Sequence, residues 1–275
     1  MYKKYKVLIF AAAVVFSACQ NKKEVTSNNV VSTDSAKVLP PKNLTYKVVG
    51  TLPHDTAAYT EGFELNGGKL YEGTGTLENS FISIAAMNSG KVLQKFPLKD
   101  KSMYGEGITI LNNQLFQLTY QNHIANVYDL KDLSKVVGTF NWPYEGWGMT
   151  NDGKNLYVSV GSSIIYKIDP KSFAVVGQIQ VTDNLGTVDQ LNELEYVDGF
   201  IYVNQWQTTK ILKVDAGTGQ VVGTIDCFGL LSSYAPDYTP KSSDSVLNGI
   251  AWDKSQQLLY VTGKNWPLIF KLKLD

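Results

Sequence analysis

Histidine is scarce: His54 and His123 are the only two in 275 residues. A histidine-built zinc site needs more than that, and nothing around either residue suggests a Ser-His-Asp set. Cysteine is equally rare. Cys19 falls in a leader segment, so Cys227 is left alone and no intrachain disulfide is available even in an oxidising compartment. Neither sign of charge is in excess, with 25 Lys plus Arg against 25 Asp plus Glu. The chain therefore lacks the basic field that would hold a polyphosphate, which argues against nucleic acid as a partner. No GxxxxGK[ST] loop occurs, and no GxGxxG follows a strand and opens a helix, so the common nucleotide cradles are missing as well. Any catalysis has to run on carboxylates, amides, an amine and aromatic walls.

What is present begins with a leader. "MYKKYK" supplies a positive start, "VLIFAAAVVF" an apolar run too short to span a bilayer, and "FSAC" a small-residue cleavage box ending at Cys19. The pattern looks like a bacterial lipoprotein signal over residues 1–18, with Cys19 as the lipidated first residue of the mature chain. A plain secretory peptide with an incidental cysteine is the other reading. Lipidation would tether the protein to a membrane without spanning it, exported to the periplasmic or outer-surface side. Losing Lys3, Lys4 and Lys6 leaves 22 basic against 25 acidic residues, a net charge near −3. Residues 19–43 are rich in Asn, Ser, Thr, Lys and Val, lack periodicity, and read as a flexible tether. Residues 44–275 have ordinary globular composition and form the folded domain. With no helical heptad or obvious partner segment, a monomer is expected.

That domain repeats. Five heads, "YTEGFEL", "YGEGITI", "EGWGMT", "LNELEY" and "LNGIAW", are each followed by an aromatic-rich second strand ("KLYEGTG", "QLFQLTY", "NLYVSVG", "FIYVNQW", "LLYVTGK") and by a third strand. The marker positions Gly62, Gly107, Gly148, Glu193 and Gly249 lie 45, 41, 45 and 56 residues apart. Such spacing suits four-strand propeller blades. Fourth strands of the type "KVVGTFNW" follow the first four third strands, whereas the chain ends at "LIFKLKLD". The missing strand is found ahead of the first head, in "TYKVVGTLPH" (45–54). The predicted fold is all-β, a five-bladed β-propeller whose last blade is closed by an N-terminal strand, leaving no free sheet edge at the seam. The insertion from Phe228 to Val246 is the best place for a short helix or a lid.

Inner strands of a propeller start at one mouth of the central channel, and period-2 alternation puts Tyr59, Glu61 and Phe63 on one face, as it does Tyr104, Glu106 and Ile108. A carboxylate walled by rings at such a mouth is desolvated and its pKa rises toward useful acid-base values. The same spacing equally suits acids that satisfy backbone amides or hold a cation on the axis. Residue pattern leaves both readings open.

Ten short blocks in order, "YTEGF" (59–63), "YEGTG" (71–75), "YGEGIT" (104–109), "LTY" (118–120), "EGWGMTNDG" (145–153), "SVGSS" (159–163), "LNELE" (191–195), "NQW" (204–206), "LNGIA" (247–251) and "TGKNW" (262–266), resemble the plant-type glutaminyl-peptide cyclotransferases, also called glutamine cyclotransferases, of plants and many bacteria. The resemblance runs from about residue 46 to the C-terminus. It implies a five-bladed propeller that cyclises the N-terminal glutamine of peptides or proteins to pyroglutamate with release of ammonia. By the same resemblance Glu106 is the general acid-base. Asn192 and Lys264 hold the carbonyl or its oxyanion, and Trp147 and Trp206 wall the closing ring. Tyr59, Glu61, Tyr104 and Tyr120 complete the substrate-binding set. No metal or other cofactor is required, although a structural calcium on the axis is implied as possible.

Three positions depart from the family pattern: Glu61 stands where the family has Gln, Tyr120 where it has Trp, and Val160 where it has Asp. Glu61 adds a second carboxylate to the mouth. The departures motivate an alternative, a catalytically inactive, surface-tethered propeller that binds peptide termini or small amines.

Overall fold

The computed structural model describes residues 38–275. The leader, Cys19 and most of the tether lie outside the described residues. The described chain opens with two strands, β1 (Lys42–Asn43) and β2 (Tyr46–Pro53). Blade one is β3 (Thr60–Asn66), β4 (Lys69–Thr74), β5 (Phe81–Ala86) and β6 (Val92–Pro97). Blade two is β7 (Gly105–Leu111), β8 (Gln114–Thr119), β9 (Ile124–Asp129) and β10 (Asp132–Asn141). Blade three is β11 (Met149–Asn151), β12 (Leu156–Ser159), β13 (Ile164–Ile168) and β14 (Val175–Gln180). Blade four is β15 (Leu191–Val197), β16 (Phe200–Gln205), β17 (Lys210–Asp215) and β18 (Val221–Asp226). After a helix, α1 (Leu230–Tyr234), come β19 (Leu247–Asp253), β20 (Leu258–Gly263) and β21 (Leu268–Leu274).

Blade five is completed by β2, which pairs antiparallel with β21 from Tyr46 opposite Leu274 to Pro53 opposite Leu268. The first and last strands of the ring thus share one sheet, the closure expected from the repeat. At the other side, β1 adds a parallel edge strand to β18, so Lys42 and Asn43, which the sequence assigns to the tether, already belong to blade four. Leu44 packs against the core there, which explains why the chain settles two residues early.

Each core lies between neighbouring blades. Phe63 and Leu70 meet Tyr260 and Ile269 across the blade-five/blade-one seam, Tyr71 and Ile82 meet Ile108 and Leu115, and Phe116 and Leu118 meet Met149 and Leu156. Ile165 meets Leu194 and Ile201, and Ile211 and Ile225 meet Leu259 and Phe270. Alternating apolar residues on both faces of every blade supply these five seams, and their burial is the main drive for ring closure. Outer hairpins turn on Asp side chains, as where Asp169 Oδ1 accepts from the amides of Lys171 and Ser172 at 3.0 and 2.8 Å.

Inner strands depart from simple alternation. Register shifts interrupt β3 after Thr60, β7 after Gly105, β15 after Leu191 and β19 after Leu247. A bulge re-aims the side chains that follow it. Phe63 and Ile108, expected on the face of Glu61 and Glu106, therefore pack in the blade seams instead.

Candidate active site

The five inner strands, four of them bulged, line up in tiers around the axis. At the mouth stand Glu61, Glu106, Trp147, Asn192 and Asn248; one residue deeper come Gly62, Gly107, Gly148, Glu193 and Gly249; two further lie Glu64, Thr109, Thr150, Glu195 and Ala251. The glycine tier is dictated by contact. A Cβ on Gly62 would sit 2.3 Å from Ile108 N, and one on Gly148 would sit 2.2 Å from Asn192 O, so neighbouring strands touch where side chains would hold them apart.

Glu193 breaks that glycine ring and uses its carboxylate as a brace. Fully buried, it accepts from Phe63 N at 3.1 Å and from Ile250 N at 2.8 Å, joining blade four to blades one and five. Burial, then the nearby Glu195, pushes its carboxyl well above the usual range. Glu64 accepts from Ile110 N at 2.8 Å and Glu195 from Trp252 N at 2.9 Å. Burial lifts Glu64 to about 7. Of the two readings left open for the acids, the deeper three satisfy backbone amides. A calcium ion takes six to eight converging oxygens. These carboxylates are turned to the strands, and among the described residues no three His, Cys, Asp or Glu side chains gather as a metal site.

The mouth pair is different. Glu61 and Glu106 are 2 % and 5 % exposed, yet no backbone amide donates to their carboxyls among the described bonds. Lys264 Nζ lies 2.7 Å from Glu61 Oε1, Tyr104 OH donates to the same oxygen at 3.2 Å, and Asn248 Nδ2 approaches Oε2 at 3.4 Å. Glu106 faces Glu61 within hydrogen-bonding reach. Burial and then the charge of Glu61 hold the Glu106 carboxyl well above its ordinary range against the pull of Lys264. Burial also raises Glu61, with Lys264 and Tyr104 opposing. Burial alone would lower Lys264, but Glu61 and Glu106 outweigh it and the amine stays charged. Two carboxyls and one ammonium thus share a dry site in which Glu61 strengthens the hold of Glu106 on a proton.

A cleft of about 240 Å³ opens over this pair, and all nine site residues read from the sequence line it: Tyr59, Glu61, Tyr104, Glu106, Tyr120, Trp147, Asn192, Trp206 and Lys264. The aromatic residues are half-buried walls. Trp147 and Trp206 meet edge-to-face with centroids 5.5 Å apart, Tyr104 and Tyr120 meet at 5.9 Å, and Lys264 Nζ sits 4.5 Å from the centre of the Tyr59 ring. Asn192 is buried in the wall of the cleft, and its Oδ1 has no hydrogen-bond partner. His54 lies behind the wall, with Nε2 2.9 Å from Glu72 Oε1 and Nδ1 2.7 Å from Trp266 O, a buried support outside the cleft.

The family model described as glutamine cyclotransferase matches residues 14–274. The chain belongs to the glutamine cyclotransferase family. An Arabidopsis thaliana relative, glutaminyl-peptide cyclotransferase, is 37% identical over 233 residues, covering 83% of this chain and 71% of its own length. A solved structure, the glutaminyl cyclase of Myxococcus xanthus, superposes with a TM-score of 0.78 at 30% identity, covering 86% of this chain and 98% of that one.

Within this glutamine cyclotransferase, the departures from the family pattern have distinct surroundings. Glu61 is neutralised by Lys264, Tyr120 keeps a ring on the wall, and Val160 packs against the seam of blades two and three. Two residues were missed. Asn248 occupies the tier of Asn192, a match visible in "LNELE" and "LNGIA". Asp244 reaches the cleft from the insertion, where no repeat announces it.

Proposed function

We propose that this mouth cyclises the N-terminal glutamine of peptides or proteins to pyroglutamate, releasing ammonia. One observation carries the reading: Glu106, buried in the mouth with its carboxyl held well above the usual range, beside a Glu61 that is paired with Lys264. The productive complex holds a single proton between the substrate α-amine and Glu106. With that proton on Glu106 the amine is free to attack the side-chain carbonyl carbon, forming the new C–N bond of the ring. Glu106 then gives its proton to the departing nitrogen and takes one from the α-nitrogen, so the enzyme ends as it began and ammonia leaves. The side-chain amide nitrogen of Asn192 and the free donors of Lys264 meet the oxyanion of the tetrahedral intermediate in a site already dry and oriented. Trp147 and Trp206 hold the side chain folded back on its own amine, which removes the entropy cost of ring closure from the chemical step.

Product identity tests the reading. A peptide with N-terminal glutamine should lose ammonia and its reactive amine together, while the acetylated peptide stays intact. Loss of ammonia with the amine retained would mean hydrolysis instead. The inactive-binder alternative would show binding without either change.

Export and anchoring follow from the leader. Cys19 is the proposed lipidation site, placing the enzyme as a monomer on the outer or periplasmic side of a bacterial membrane. Among the described residues no helix is long and apolar enough to cross a membrane. Cys19→Ser should move the protein from membrane to soluble fraction; continued sedimentation with membranes would end this reading.

A further inference from the structure

The insertion between blades four and five builds a second cavity of about 440 Å³, bounded by Cys227, Phe228, Leu231, Pro236, Val246 and Trp266 among others. It opens on the same face as the catalytic cleft, because both are walled by the β16–β17 and β20–β21 loops and by the β18–β19 connection. The two share a ridge. Trp206 lines the cleft and Gln207 the cavity; Asp244 lines the cleft and Ser245 the cavity; Lys264 lines the cleft and Trp266 the cavity. Gln207 Nε2 donates to Asp244 Oδ1 at 2.6 Å across the ridge, joining the blade-four loop to the insertion.

The walls are braced rather than collapsed. Trp266 Nε1 donates to Ser245 O at 3.0 Å and Tyr238 OH to Asn265 O at 2.8 Å, while Lys241 reaches Thr56 O. Phe228, at the rim, is 83 % exposed. A large ring held in water beside a preformed apolar hollow marks a surface that waits for an apolar group.

Resting on the cyclase reading, we propose that this cavity is a subsite for the substrate's own chain, taking an apolar side chain from one of the two residues that follow the N-terminal glutamine. With glutamine in the cleft, the peptide must leave over the rim, and each further residue adds roughly 3.3–3.6 Å of reach when extended. Sequence neighbours line the two sides of the ridge, Trp206 and Gln207 on one loop and Asp244 and Ser245 on the other, a step that one or two extended residues span.

The test compares kcat/KM for Gln-Phe-Gly-Gly, Gln-Gly-Phe-Gly and Gln-Gly-Gly-Gly by ammonia release. At least one phenylalanine peptide should exceed the all-glycine peptide by about tenfold or more, the scale of burying part of an aromatic ring. Leu231→Ser, which strips an apolar wall, and Ala235→Trp, which fills the hollow, should each bring that ratio to within about twofold of unity. Equal rates in the wild type would overturn the subsite, as would an undiminished ratio in both variants when their melting temperatures match wild type. If no peptide releases ammonia, the cyclase reading fails separately, and the same peptides' dissociation constants decide the subsite: a tenfold preference supports it and equal binding overturns it.

Discussion

Removing the Glu193 carboxylate should loosen the whole ring. Its two oxygens serve amides on blades one and five, at 3.1 and 2.8 Å, in a position with no solvent access. Glu193→Ala strands both donors. At about 1–3 kcal/mol for each buried donor left unsatisfied, the expected loss is roughly 2–6 kcal/mol. For a domain of this size each kcal/mol moves the melting temperature by about 2–4 °C, so a fall of roughly 5–20 °C is expected in calorimetry. Glu193→Gln keeps the shape and one acceptor and should cost about 1–3 kcal/mol, the loss of a single amide partner.

The pH dependence adds a second readout. Burial raises the folded carboxyl above its unfolded value, so the folded chain binds the extra proton. That contribution is fully present below the unfolded carboxylate range and is lost as pH rises toward the folded value. Glu193→Gln should remove this part of the decline in stability above acid pH. A Glu193→Ala protein that melts within about 2 °C of wild type would refute the brace.

Neutralising Glu61 should shift the rate profile instead. In Glu61→Gln the like charge beside Glu106 disappears while Lys264 remains, so Glu106 gives up its proton more readily and the alkaline limb of kcat/KM moves to lower pH; an unmoved limb would detach Glu61 from the proton. Gly161, at φ 74, lies where a Cβ would come 2.6 Å from the Trp147 ring. Gly161→Ala should displace that wall and lower kcat/KM at least tenfold, with only a modest fall in melting temperature, and unchanged turnover would show that Trp147 does not position the substrate. Glu64→Gln should flatten the loss of stability expected between the ordinary carboxylate range and about pH 7; thermal melts across that range would reveal it.

Much of this architecture could be read before any coordinates. Strand count, blade period and the borrowed strand β2 follow from the repeat, because a seam between blades needs apolar residues at fixed spacing. The nine cleft residues sit in short blocks at strand heads and second-strand ends, where a propeller gathers its loops. Less legible was the parity of the inner strands. A bulge adds one residue without leaving a distinctive side chain, so Phe63 and Ile108 were placed with the acids and lie instead in the seams. The division between bracing and mouth carboxylates was hidden for the same reason: Glu61 and Glu193 look alike in sequence, and only a one-residue change of tier sends one to Lys264 and the other to Phe63 and Ile250. Asp244 belongs to a stretch without periodicity, and its position depends on packing of the insertion.

The central claim is that Glu106 carries the proton through cyclisation. The most direct test is ammonia release from a dipeptide with N-terminal glutamine by residues 38–275, comparing wild type with Glu106→Gln and confirming equal melting temperatures. Steady release by wild type, reduced by at least about 10²–10⁴ in the variant, is the expected result. Turnover by Glu106→Gln at the wild-type rate would contradict it.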